Sequence, residues 1–160
     1  MKHLFALLLA LLVAGCVAVR PTPAPPTQDA CPAQLLALHS EFLETAASYN
    51  AWYNSPAREQ ATTQELAMHY LAEWHRMESL RLRLAGLDGS GECGRARDLY
   101  LSGVDCDQRA LELALAYTAT GDAAMRTRAN ENIDRAKALR TQALAILADL
   151  LHVTPDSIEL

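Results

Sequence analysis

The pattern of apolar positions changes character along the chain. Leu4 to Val13 is an unbroken apolar run of ten residues. From Cys31 onward, apolar residues return every three or four positions instead, as on amphipathic helices. The spacing predicts four helices. The first covers about Pro32 to Asn54, with Leu35, Leu38, Phe42, Ala46, Tyr49 and Tyr53 on one face. Pro32 suits a first helical turn. Ser55-Pro56 ends that helix and opens the second, which carries Leu66, Tyr70, Trp74, Met77, Leu80 and Leu84 to about Ala85. Ser55 is a candidate N-cap, and Thr62 followed by Glu65 offers a later start of capping-box form. Gly86, Gly89, Gly91 and Gly94 crowd nine residues and predict a loop. The third helix follows from about Arg95 to Thr118, striped by Leu99, Gly103, Cys106, Ala110, Leu113 and Tyr117, with Gly103 as a weak point. Asp122 caps the fourth, whose stripe is Met125, Ala129, Asn132, Ala136, Leu139, Ala143, Ile146 and Leu150. It runs to about His152, and Pro155 stops it.

Two short connections and one longer loop predict an all-α fold, an antiparallel up-down-up-down four-helix bundle. The Ala-rich stripes of the third and fourth helices imply close helix approach. Composition agrees. Ala and Leu supply 56 of 160 residues, whereas Val, Ile, Phe, Trp and Tyr supply 17. That balance excludes all-β and strand-rich α/β folds. Asn132 interrupts the fourth stripe. It reads as a register-setting or edge residue, with a ligand contact as the alternative.

The N-terminal run is too short to span a bilayer but fits a signal-peptide core, and Lys2 and His3 supply its positive start. Val13-Ala14-Gly15-Cys16 resembles a bacterial lipobox. The resemblance implies cleavage before Cys16, a diacylglyceryl thioether on its sulfur and acylation of its amine, palmitate being the usual chain. Several acyl chains would hold the protein stably on a membrane without spanning it. Val17 is not the Asp that marks inner-membrane retention in lipoproteins of enteric bacteria, so the resemblance implies the outer membrane, facing the periplasm. Residues 17–30 hold four prolines between 21 and 26, favouring polyproline II and a reach of roughly 40 Å. Three parts are expected: a leader (1–15), a lipidated Cys with a Pro-rich disordered tether (16–30) and a helical domain (31–160).

Cys31, Cys93 and Cys106 remain in an exported, oxidising setting, so a disulfide is expected. In an up-down-up-down bundle the starts of the first and third helices share a pole, which favours Cys31–Cys93. Cys106 lies thirteen residues past Cys93, or ~19 Å along a helix, beyond disulfide reach. A break at Gly103 would instead favour Cys93–Cys106. With Cys31–Cys93 paired, Cys106 is a free thiol facing the core.

Candidate chemistry is sparse. Gly89-Ser90-Gly91-Glu92-Cys93-Gly94 matches the letters of a dinucleotide fingerprint, but it follows a helix and places Glu92 where a pyrophosphate would come. Glu-x-x-His is absent, so di-iron chemistry of the helical-bundle kind has no ligand set. Glu65, His69 and Glu73 recur every four residues and read as an exposed polar face, as do His75 and Glu78. His39 reads as a packed boundary residue. No metal site and no cofactor is expected. No G-x-S-x-G elbow or Ser, His and Asp set points to an enzyme. The formal charge of −5, or −6 once Lys2 leaves with the leader, disfavours nucleic acid. Arg76, Arg81 and Arg83 near the end of the second helix are accounted for by its dipole.

Tyr49, Trp52 and Tyr53 gather after the first helix, and Tyr117 ends the third at the same expected pole. These aromatics either cap the core or form a partner surface. The functional expectation is a non-enzymatic envelope lipoprotein, held on the membrane by its N-terminal lipid. Its helical domain would act as a protein-interaction or structural module. The alternative is a bundle that binds a small ligand or divalent metal.

Overall fold

The computed structural model describes residues 30–158. The leader, Cys16 and residues 17–29 lie outside them. The described chain forms α1 (Ala30–Tyr53), α2 (Pro56–Gln60), α3 (Thr63–Ala85), α4 (Gly91–Thr120) and α5 (Ala123–Leu151), then a 3-10 turn at Pro155–Ser157. It contains no strand, as the Ala/Leu excess requires. No helix among the described residues is long and apolar enough to cross a membrane.

Five helices stand where four are expected, because both candidate starts of the second helix are used. Ser55 is extended and Pro56 opens α2, but the Ser55 hydroxyl turns back to donate to the Trp52 carbonyl at 2.7 Å. The chain leaves the helix at Ala61 and restarts on a full capping box. Thr62 Oγ1 accepts from the Glu65 amide at 3.3 Å, and Glu65 Oε2 accepts from the Thr62 amide at 2.8 Å. These bonds draw the Glu65 carboxyl below its usual range. At the next turn Asp122 Oδ1 accepts from the Ala124 amide at 2.9 Å and starts α5 as expected.

The glycine-rich loop is shorter than its letters suggest, since α4 already begins at Gly91. The Cys31–Cys93 disulfide ties the first turn of α1 to the first turn of α4, with Cα atoms 6.4 Å apart. A Cβ on Gly89 would lie 2.7 Å from Cys31 Sγ, and one on Gly94 would lie 2.7 Å from the Gly89 carbonyl oxygen. Gly89 thus lets the backbone pass close to the cystine, Gly94 lets it fold back against Gly89, and Gly91 supplies a positive φ of 60°. Gly103 does not break α4. A Cβ there would sit 3.2 Å from the Ala136 carbonyl oxygen and 3.2 Å from Arg140 Cγ. The absent side chain lets α4 and α5 approach each other, as the small-residue stripes imply.

The main core joins Leu35, Leu38 and Phe42 of α1 to Met77, Leu80 and Leu84 of α3, Tyr100 and Val104 of α4, and Leu144 and Leu147 of α5. Each fully buried Leu contributes about 2 kcal/mol by leaving water. Ile158, after the 3-10 turn, packs on this core too. A smaller cluster of Ala110, Leu113 and Ala129 lies farther along α4 and α5. Helix α4 packs extensively on both α3 and α5. It therefore buries two faces, and the expected single stripe captures Gly103, Ala110 and Leu113 but misses Tyr100, Val104 and Leu111. The end of the α5 stripe is also less buried than expected, with Leu150 exposed.

Candidate functional site

The apolar face of α1 is buried over its first half, at Leu35, Leu38 and Phe42. Beyond that Ala46 and Tyr49 are only half-buried, and Tyr53 is exposed. Over this second half a cavity of about 490 Å³ opens, lined from all five helices. Ala110 and Ala129 are among its lining residues and belong to the small cluster between α4 and α5. Their short side chains leave the space unfilled. Phe42, Tyr49, Tyr53, Tyr70 and Tyr117 give it aromatic walls.

Charged groups enter the same space. Glu73 of α3 is only 4% exposed and accepts a hydrogen bond from Arg76 Nη1 at 2.9 Å. Burial pushes its carboxyl up, and the Arg76 contact opposes this only in part. Asp107 of α4 pairs with Arg140 of α5. Burial pushes Asp107 up to about 6 even so, because desolvation outweighs the guanidinium. The Arg140 guanidinium also lies 4.3 Å above the Phe42 ring, and that of Arg58 lies 4.3 Å above Tyr53. Burial likewise raises Tyr49 and Tyr70, so their hydroxyls stay protonated near neutral pH.

Three of the four expected aromatics meet here. Tyr49, Tyr53 and Tyr117 line the cleft, whereas Trp52 sits behind Tyr49 and Tyr70 and stacks on His69 with ring centroids 3.9 Å apart. The expected polar face of α3 is not one face. Glu65 closes the capping box, His69 stacks on Trp52, and Glu73 is buried in the cleft wall. Successive positions four apart rotate by about 40° on a helix, which carries Glu73 from the solvent side to the core side. No group of three or more His, Cys, Asp or Glu suited to a metal ion occurs among the described residues. Asn132 is half-buried and donates to its own helix at the Arg128 carbonyl, 2.8 Å away, as an edge residue would. His39 is more deeply buried than a boundary residue, with Nδ1 2.9 Å from Tyr100 Oη. Cys106 is free and half-buried, and burial raises its thiol. Arg76, Arg81 and Arg83 form ion pairs with Glu73, Glu78 and Glu41.

The cationic wall of the cleft is not among the sites expected from the sequence, although a signal is present there. Arg126, Asn130, Ile133, Lys137 and Arg140 alternate spacings of four and three along α5. This row lies one residue beyond the apolar stripe and turns with it toward α1. A second recess, of about 540 Å³, runs beside the start of α4 and includes Gly89, Gly91, Arg95 and Arg97. Its cations are engaged locally: Arg97 donates to the Leu87 carbonyl at 2.7 Å and to Asp98, and Arg95 pairs with Glu92.

The raised Asp107 has a consequence for stability. Its folded pKa lies above the ordinary 3.8, so the folded state holds the proton more tightly and stability falls as pH rises between those values. Relative to Asp107→Asn, the native protein should gain roughly 1–3 kcal/mol as pH falls from 7 to 4. Urea unfolding of both proteins across that range checks this, and parallel pH profiles would contradict it.

Comparison with known protein families, with curated proteins and with solved structures finds no match to this chain.

Proposed function

We propose that this protein is a non-enzymatic envelope lipoprotein, anchored through Cys16 and lifted from the lipid by its Pro-rich tether. Its helical domain works by binding. In this reading the four long helices form an antiparallel up-down-up-down bundle, with α2 as an extra turn between the first two. Short links between α3 and α4 and between α4 and α5 support that topology, as does the disulfide joining the starts of α1 and α4.

The binding role is carried by one observation, the cleft lined from all five helices. Its volume of about 490 Å³ falls in the range of small-molecule sites. It favours a small-ligand module over the flat protein-interaction surface that the aromatic pole first suggests. Tyr53 and Trp52 at its margin remain the place where a protein partner would touch.

Two measurements test the proposal. Native mass spectrometry of protein purified from its own envelope should show a bound mass, which Ala114→Phe, on the cleft wall, should remove. A wild-type spectrum with no added mass, together with a specific protein crosslink from a photoreactive residue at Tyr53, would return the reading to protein interaction. Cys16→Ser should shift the protein from the membrane to the soluble fraction. Retention on the membrane would remove the lipid anchor from the proposal.

A further inference from the structure

The charge of the cleft is opposite to that of the chain. The whole sequence carries −5, yet the cleft gathers Arg58, Arg126, Lys137 and Arg140 against Glu73 and Asp107. Both carboxylates already have cationic partners, Glu73 in Arg76 and Asp107 in Arg140. Arg58, Arg126 and Lys137 form no ion pair with a described residue. Surface cations on a helix are ordinarily just solvated. These three converge on one cavity from two helices.

Arg58 carries a further sign. Its Nε is buried and has no hydrogen-bond partner. Its guanidinium is held over the Tyr53 ring, Nη2 donates weakly to Tyr53 Oη at 3.4 Å, and the guanidinium also bonds the Tyr70 hydroxyl, so Nε alone lacks an acceptor. A buried donor without an acceptor is costly, and an anion at this place would relieve it. Beside Arg58, on the same wall, Tyr53 stacks on Tyr49 with ring centroids 5.8 Å apart, and Phe42 lies farther back along α1.

Resting on the binding role proposed above, we propose that the cleft selects an aromatic organic anion, a flat apolar body carrying one carboxylate. The guanidinium of Arg58 holds the head, while Arg126 and Lys137, ~16 Å apart along α5, line the cleft with further positive charge that favours an anion over a cation. A planar guanidinium matches a carboxylate geometrically and gives charge-assisted bonds. The tyrosine and phenylalanine rings take the body by offset or edge contact. A cationic ligand would have to displace Arg76 or Arg140 from its carboxylate. Burial lifts the Glu73 and Asp107 carboxyls, which lowers the negative charge in the site further.

The test uses one body with three heads: 2-naphthoate, 2-naphthalenemethanol and 2-naphthylmethylammonium. Each is titrated calorimetrically into the full chain in non-ionic detergent, with detergent alone as the blank. Naphthoate should bind at least about tenfold more tightly than the alcohol, and the ammonium ion more weakly still. The double variant Arg126→Gln/Lys137→Gln changes only exposed side chains, so its fold should survive, as a thermal melt would verify. It should cut the preference for naphthoate over the alcohol severalfold, Arg58 supplying what remains. Equal binding of all three heads, a preference for the cation, or undiminished naphthoate binding by the double variant overturns charge selection. In each of those cases loss of binding in Ala114→Phe would leave the cleft itself standing as the binding site. Failure of all three compounds to bind overturns the inference, whereas a native bound mass sensitive to Ala114→Phe would still uphold the binding role.

Discussion

Replacing both disulfide cysteines, Cys31→Ser with Cys93→Ser, should cost about 4 kcal/mol of stability. The cross-link closes a loop with a sequence separation of 62. In the chain-entropy account its effect comes mainly from restricting the unfolded chain, and it grows with loop length. The folded state should feel the loss unevenly. Helices α4 and α5 pack extensively on each other, whereas α1 makes far less contact with the rest. The disulfide fixes the start of α1, and α1 forms one wall of the cleft. Hydrogen exchange should therefore rise first in α1, ahead of global unfolding. The comparison is best made in a Cys106→Ala background, so that the remaining thiol cannot form new pairs. Urea unfolding with linear extrapolation gives the difference. A loss below about 1 kcal/mol would contradict the chain-entropy account.

Tyr100→Ala should cost about 3–5 kcal/mol, the range of large aromatic deletions from a packed interior. Tyr100 is fully buried on α4. Its ring meets Phe42 edge-on with centroids 6.2 Å apart and His39 with centroids 5.8 Å apart. Its hydroxyl is 2.9 Å from His39 Nδ1. Tyr100→Phe separates the two contributions, since it keeps the ring and removes only that hydrogen bond. It should cost about 1 kcal/mol. Phe42 in turn supports the Arg140 guanidinium above its other contacts in the cleft. The Ala variant should therefore loosen the cleft wall as well as the core, while the Phe variant should spare it. Denaturation midpoints for the two variants check the ratio. Similar losses for both would mean that the hydrogen bond, rather than the ring, dominates at this position.

Local signals in the sequence are the dependable ones. The capping box of Thr62 and Glu65 and the cap at Asp122 act over a few residues, and each appears where its chemistry places it, whereas α5 ends on a left-handed His152 before Pro155, which opens the 3-10 turn instead. The pairing of Cys31 with Cys93 follows from where two helices start. Expectation and structure part where a residue's role depends on a distant neighbour. Gly103 resembles a break in a helix because its intrinsic helix preference is poor; Ala136 and Arg140, packed against it, make its missing side chain a requirement. Glu73 reads as exposed by its spacing from Glu65, yet it turns into the space between α3 and α1. Tyr100 lies outside the expected stripe because α4 serves two neighbours, and a single periodic face cannot show that.

The sequence by itself determined that this chain is helical and where most helices begin and end, and it favoured Cys31–Cys93; the unbroken α4 then decided between that pair and Cys93–Cys106. Those properties rest on propensity, capping and period, which operate within a few turns of chain. Only the tertiary structure decided that α1 leaves its second half unpacked over Ala110 and Ala129, and that tyrosines from three helices and cations from two converge on the gap. A cavity is the absence of a contact between residues far apart in sequence. The apolar pattern records which positions are able to pack, but not which of them find no partner.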